Sequence, residues 1–130
     1  MAYGLTVSDR IPATPQAVDD AWMSSDQHGA MTGGRAAIDP RPGGTFQAWD
    51  GYITGATLEL EPGRRIVQSW RTSDFAPDDP DSRIDVLLEA AGPGTLITLH
   101  HTDIPEGQSG YEQGWRDNYF EPMRAFFTQA

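Results

Sequence analysis

A chain of 130 residues, 38% hydrophobic and 22% charged, has the length and composition of one soluble globular domain, residues 1–130. Nineteen acidic against nine basic residues leave a net charge of −10, which argues against binding nucleic acid or anionic membranes. Cysteine is absent and all the basic residues are arginine, so disulfides, thiolate metal sites and lysine Schiff-base chemistry are excluded.

The first ten residues lack a basic segment followed by an apolar core, and no apolar run is long enough to span a bilayer. A cytoplasmic protein without membrane insertion is the expectation. Leu5, Val7 and Ile11 alternate with polar residues and predict a first strand. Thr14 as N-cap and Pro15 at the first helical position open a short helix. It places Ala17, Val18, Ala21 and Trp22 on one face, with Asp19 and Asp20 where the helix dipole favours anions. A second short helix ends at Gly33 and Gly34.

The period then becomes two. Strands are predicted at GGTFQAW, YITGATLELE, RIVQSWR, RIDVLLEA and TLITLHHT, joined by turns at Asp50-Gly51, Pro62-Gly63 and Gly92-Pro93-Gly94. Asp50-Gly51 reads as a two-residue hairpin turn. The inward sets are Tyr52, Thr54, Ala56, Leu58 and Leu60; then Ile66, Gln68 and Trp70; Ile84, Val86 and Leu88; and Thr95, Ile97, Leu99 and His101. Arg71 faces out toward an acid such as Asp85, and Asp74 to Asp81 form a solvated acidic loop. Short turns in succession give an antiparallel meander with one wet face. Tyr111, Trp115, Tyr119, Met123, Phe126 and Phe127 recur at helical spacing and supply the cover, a long C-terminal helix bent at Pro122. The fold class is α+β, a curved antiparallel sheet wrapped around that helix.

The order and spacing of GGTFQAWDGYITGATLEL, RIVQSWR, the Gly-Thr before the last strand, the Ile-Pro after it and QGWRDNYFEPM resemble the C-terminal domain of the activator of Hsp90 ATPase, a branch of the START-like superfamily. The resemblance covers about Thr14 to Phe127. It implies a helix-grip fold with two short N-terminal helices, and a hydrophobic cavity between sheet and helix. Eukaryotic activators carry a further N-terminal domain with no counterpart in these residues, so full co-chaperone activity is not expected of them alone.

The abundance of large rings suits a cavity of aromatic surface with a few polar handles. The candidate lining is Trp22, Phe46, Tyr52, Thr54, Gln68, Trp70, Val86, Leu88, Leu99, His101, Trp115 and Tyr119, with Trp115 and Tyr119 in the pocket and Met123, Phe126 and Phe127 sealing the closed end. A buried Gln68 would need a partner. His28 is expected near the cavity mouth. His100 and His101 are adjacent on a strand and point to opposite faces, so they do not chelate one metal. No nucleophile elbow, phosphate loop or calcium loop is present, and no catalytic residue, metal or cofactor is assigned.

Three readings follow. The first is a non-enzymatic domain that binds a small apolar molecule or a partner segment in the cavity. The second, implied by the resemblance, is a module that touches an Hsp90-type ATPase. The third is a cyclase- or hydrolase-type enzyme using His101 with Asp103 or Glu106. Homodimerisation through exposed strand edges or rim aromatics is left open by the sequence.

Overall fold

The computed structural model describes residues 2–128. Strand β1 (Tyr3–Ile11) leads into α1 (Pro15–Met23) and α2 (Ser25–Thr32). Strands β2 (Ala37–Ile38), β3 (Thr45–Ala48), β4 (Ile53–Glu61), β5 (Arg65–Thr72), β6 (Ser82–Ala91) and β7 (Gly94–Ile104) follow. The chain ends in α3 (Tyr111–Trp115), a π-helical segment (Arg116–Phe120) and α4 (Glu121–Thr128), which together form the long C-terminal helix.

The helix boundaries have local causes. The Thr14 hydroxyl accepts from the Ala17 N–H, and Pro15 fills a position whose N–H needs no helical partner. Ser24 caps α2 through the Gln27 N–H, and Gly33 ends it in the left-handed conformation, φ 86°. Asp19 serves neither end of its helix. It lies beyond the first turn, is buried, and accepts the Gly63 N–H of the β4–β5 turn; its dipole role is therefore replaced by a tertiary tie.

The sheet is seven-stranded, curved and antiparallel, in the order β1-β7-β6-β5-β4-β3-β2. The meander thus gains β1 against β7 and the two-residue β2 at the far edge. Strict alternation buries Ile84, Val86 and Leu88 on β6 and Thr95, Ile97, Leu99 and His101 on β7. These side chains, with Ile66 and Trp70 of β5, meet Val18, Ala21 and Trp22 of α1 and Trp115, Tyr119, Phe120 and Met123 of the C-terminal helix in one cluster.

β4 departs from expectation. Ile53 and Thr57 face the core, whereas Tyr52, Thr54 and Leu58 are exposed. A register shift between Thr57 and Glu59 reverses the parity, so Leu60 packs back against the core. Gly55 permits a close approach: a Cβ there would lie 1.9 Å from the Ser69 carbonyl oxygen. The β3–β4 connection is also longer than a two-residue hairpin. Ala48 pairs with Ile53, and Trp49, Asp50, Gly51 and Tyr52 form the loop between them.

Arg71 does not reach Asp85. It binds the Asp79 and Ala76 carbonyls and the Asp81 carboxylate, tying down the acidic loop, while Phe75 from that loop is buried against Trp70. Arg65 and Arg83 hold Asp85 instead. Arg124 of α4 pairs with Asp9 of β1 and fastens the end of the C-terminal helix to the sheet edge. No helix among the described residues is long and apolar enough to cross a membrane.

Candidate functional site

The grip has a packed interior and an open end. In the interior polar side chains interlock. The Trp22 indole N–H donates to Gln68 Oε1 at 3.3 Å, and Gln68 Nε2 donates to the Thr57 hydroxyl at 3.2 Å. Buried Gln68 therefore finds its partners in neighbouring side chains. His28 Nδ1 lies 2.8 Å from the Trp22 carbonyl, which can only accept, so the ring proton sits on Nδ1. Nε2 then accepts from the Tyr119 hydroxyl at 2.8 Å. The same reasoning fixes His101. The Trp115 indole N–H donates to Nδ1 at 3.1 Å, so Nε2 carries the proton and donates to the Ser82 hydroxyl at 2.8 Å. Ser82 passes its own proton to the Trp70 carbonyl at 2.6 Å.

The Trp115 indole N–H keeps the His101 ring neutral, and burial favours the neutral form of both imidazoles. Burial lowers the pKa of His28, and burial lowers that of His101 to about 3. Burial likewise raises Tyr119. His101 points into the core with both nitrogens engaged, and no carboxylate is among its hydrogen-bond partners. A general base needs a free lone pair near the reacting proton; the lone pair here is held by an indole N–H. Every buried side-chain nitrogen and oxygen among the described residues has a partner, and no group of three metal-ligating side chains is found among them.

At the open end a recess of about 390 Å³ lies between the β3–β4 loop and the C-terminal helix. Trp70 of β5 and Trp115 and Tyr119 of the helix form its buried base, exposed by only 3–4%. Trp49, Tyr52 and Tyr111 stand around them, with Tyr52 at 38% exposure on the rim. Ile53, Ser109, Gly110, Gly114 and Asn118 complete the lining. The Tyr52 hydroxyl donates to Asp74 at 2.6 Å, and that of Tyr111 to Gln108 at 2.7 Å.

The twelve candidate residues thus divide. Tyr52, Trp70, Trp115 and Tyr119 meet at the recess. Trp22, Gln68, Val86, Leu88, Leu99 and His101 are buried in the packed interior behind it. Phe46 and Thr54 border a separate, shallower groove along β3 and β4; Thr54 lies there because β4 runs in the opposite phase. His28 is likewise interior and reaches the recess only through Tyr119.

Trp49, one of the large rings of the sequence, joins the recess through an unusual backbone. Its backbone has φ 53°, followed by φ 57° at Asp50, and a bulky residue there is unusual. Two features hold it in place. The Asp50 N–H donates to the Arg35 carbonyl, and the indole packs over Gly34, where an added Cβ would come within 2.7 Å of the ring. The second glycine of the Gly33-Gly34 pair is therefore a seat for Trp49 rather than a second helix stop. Pro122 also has a local context: the segment just before it is π-helical, and the Glu121 N–H donates to the Arg116 carbonyl.

Residues 12–128 match the family model described as activator of Hsp90 ATPase homolog 1-like protein. An activator of 90 kDa heat shock protein ATPase homolog from Dictyostelium discoideum is 25% identical over 128 residues, 97% of this chain but 33% of that protein. The chain spans about a third of the length of the curated relatives it matches. Among solved structures, an HSP90 activator from Plasmodium falciparum superposes with a TM-score of 0.87 at 20% identity, covering 97% of this chain and 96% of that one; this shows a shared fold. CalU16 from Micromonospora echinospora superposes with a TM-score of 0.80 at 26% identity, over 98% of this chain and 77% of that chain.

Proposed function

The chain belongs to the activator of Hsp90 ATPase homolog 1-like family, and from that premise we propose that it acts without catalysis, by holding a small apolar molecule or an apolar partner segment in the recess at the open end of the grip. One observation carries this reading: six aromatic side chains converge on a half-open space of about 390 Å³. Binding sites of small molecules have volumes of roughly 300–1,000 Å³ and combine apolar walls with a few polar groups. The polar atoms behind these walls are already satisfied by one another, which supports binding over reaction.

A thermal-shift screen of apolar and aromatic compounds tests the proposal. A ligand present at a hundred times its Kd stabilises the folded state by about 2.7 kcal/mol, and its effect should fall when Tyr52 is replaced by leucine. Binders whose effect is indifferent to Tyr52→Leu, or a screen without binders, would count against it. A second reading rests on the family and its named relatives: the same face engages an Hsp90-type ATPase. Addition of the chain should then change the ATPase rate, and an unchanged rate at saturating protein would remove this reading.

A further inference from the structure

The recess has a charge character as well as a shape, and the inference drawn from it rests on the reading of the recess as a binding pocket. None of its lining residues is an arginine, histidine or carboxylate. The rings nevertheless carry polar atoms, and four of them direct those atoms away from the space they enclose. Tyr52 donates to a carboxylate, Tyr111 to the Gln108 amide oxygen, Tyr119 to the His28 imidazole and Trp115 to the His101 imidazole. Each of these donors is engaged with its own acceptor. What remains for a ligand is ring surface together with the polar groups of Ser109 and Asn118. A ring that donates its proton to an acceptor gains electron density, which deepens the negative potential of its face, most of all for Tyr52 against Asp74.

The rings also stand in different planes. Trp70 and Tyr111 meet at 89°, Trp70 and Trp115 at 43°, and Trp115 and Tyr119 at 53°, with centroids 4.9–5.4 Å apart. Rings in contact at these angles pack edge against face, so each holds its neighbour in a fixed plane beside the recess. Asp74 lies one hydrogen bond behind the rim, and the chain as a whole carries −10. Arg71, the cation on the neighbouring strand end, is bonded outward to the 76–81 loop. The start of α3 at the rim pulls the other way, because a helix N-terminus favours anions, so any test must include an anion.

We propose that the recess selects cations: it holds the ammonium head of a small amine or quaternary ammonium compound against the exposed ring surface of Trp49, Tyr52 and Tyr111, above the buried rings of Trp70, Trp115 and Tyr119. Cation–π attraction strengthens as water is excluded, and the graded exposure from Tyr52 to Trp115 gives the head a dry base with an open rim for its substituents.

Three probes with the same benzyl group and a tetrahedral head separate the possibilities: benzyltrimethylammonium, its neutral carbon isostere neopentylbenzene, and the anion benzylsulfonate. Binding to the full chain is followed by tryptophan fluorescence and amide chemical shifts. The cation should bind at least about tenfold more tightly than its isostere, and the anion more weakly than either. Asp74→Asn, behind the rim, should weaken the cation severalfold and leave the neutral probe unchanged, whereas Tyr52→Leu, in the lining itself, should weaken both. If the isostere or the anion binds as tightly as the cation, charge selection is overturned while the pocket stands. If none of the three binds, the pocket falls with it. The ratio among probes on the unsubstituted chain decides the matter even where a variant folds poorly.

Discussion

The interior and the open end of the grip are built from the same residue types and differ in what their polar atoms do. In the interior behind the recess Trp22, Gln68, His28 and His101 form bonds that leave no buried polar side-chain atom without a partner among the described residues. At the open end the rings of Trp115 and Tyr119 are anchored by those same bonds, with their edges facing inward. The interior is thus the support of the open end. The two hydrogen bonds that join the imidazoles to Tyr119 and Trp115 also fix the tilt of those rings at the recess, so a defect in the interior should be felt at the mouth, and the reverse should not hold.

The largest expected effect is in the packed interior. Phe120 is fully buried, and Phe120→Ala should cost about 3–5 kcal/mol, as truncation of a buried aromatic does; urea denaturation measures it. A loss below about 1 kcal/mol would mean that the interior is not the rigid half. Acid should come next. The folded pKa of His101 is lowered to about 3 and that of His28 is also lowered, both through burial. Below about pH 6.5 the unfolded chain binds more protons than the folded one, so stability is fully present above pH 6.5 and declines as pH falls below it. For His101 the slope is up to about 1.4 kcal/mol per pH unit, or about 2 kcal/mol by pH 5, and His28 acts in the same direction. His101→Asn should flatten the profile, and a profile unaltered by that change would break the link between the imidazole and the interior. The smallest effect belongs to the rim. Tyr52→Leu should alter stability by less than about 0.5–1 kcal/mol, since an exposed side chain with one exposed hydrogen bond is lost. A large loss there would dissolve the distinction between support and mouth.

The sequence is most legible where alternation is unbroken. β6 and β7 keep one phase from end to end, so Ile84, Val86, Leu88, Leu99 and His101 fall on the core face. β4 misleads because Leu58 and Leu60 suggest a phase that the register shift after Thr57 reverses only at its end. Gly55, an isolated glycine within a strand, is the trace that could have shown it, since it marks a close backbone approach. At the recess, Tyr52, Trp70, Trp115 and Tyr119 are readable as rings near the helix and strand ends. Trp49 is not placed by any periodicity. Its direction depends on a left-handed backbone and on the vacancy at Gly34, a contact between residues fifteen apart that no local pattern encodes. The hydrogen-bond partners of Gln68 and the two histidines are equally tertiary.

The π-helical segment has a consequence for length. Tyr111, Trp115, Tyr119, Met123 and Phe127 are spaced by fours, and in an ideal α-helix each such step overshoots a full turn by about 40°. Over four steps the stripe would drift about 160° around the cylinder, carrying Phe127 almost to the far side. A wider turn at Arg116–Phe120 takes up part of that drift, which keeps both halves of the helix directed at one sheet. The helix therefore works as two rods joined by a vernier. Removing one residue from 116–120 would leave a more regular helix and a less complementary protein, with Met123 rotated by about 100° from the sheet. In homologues, single-residue gaps should collect in this segment and be rare in the rods on either side.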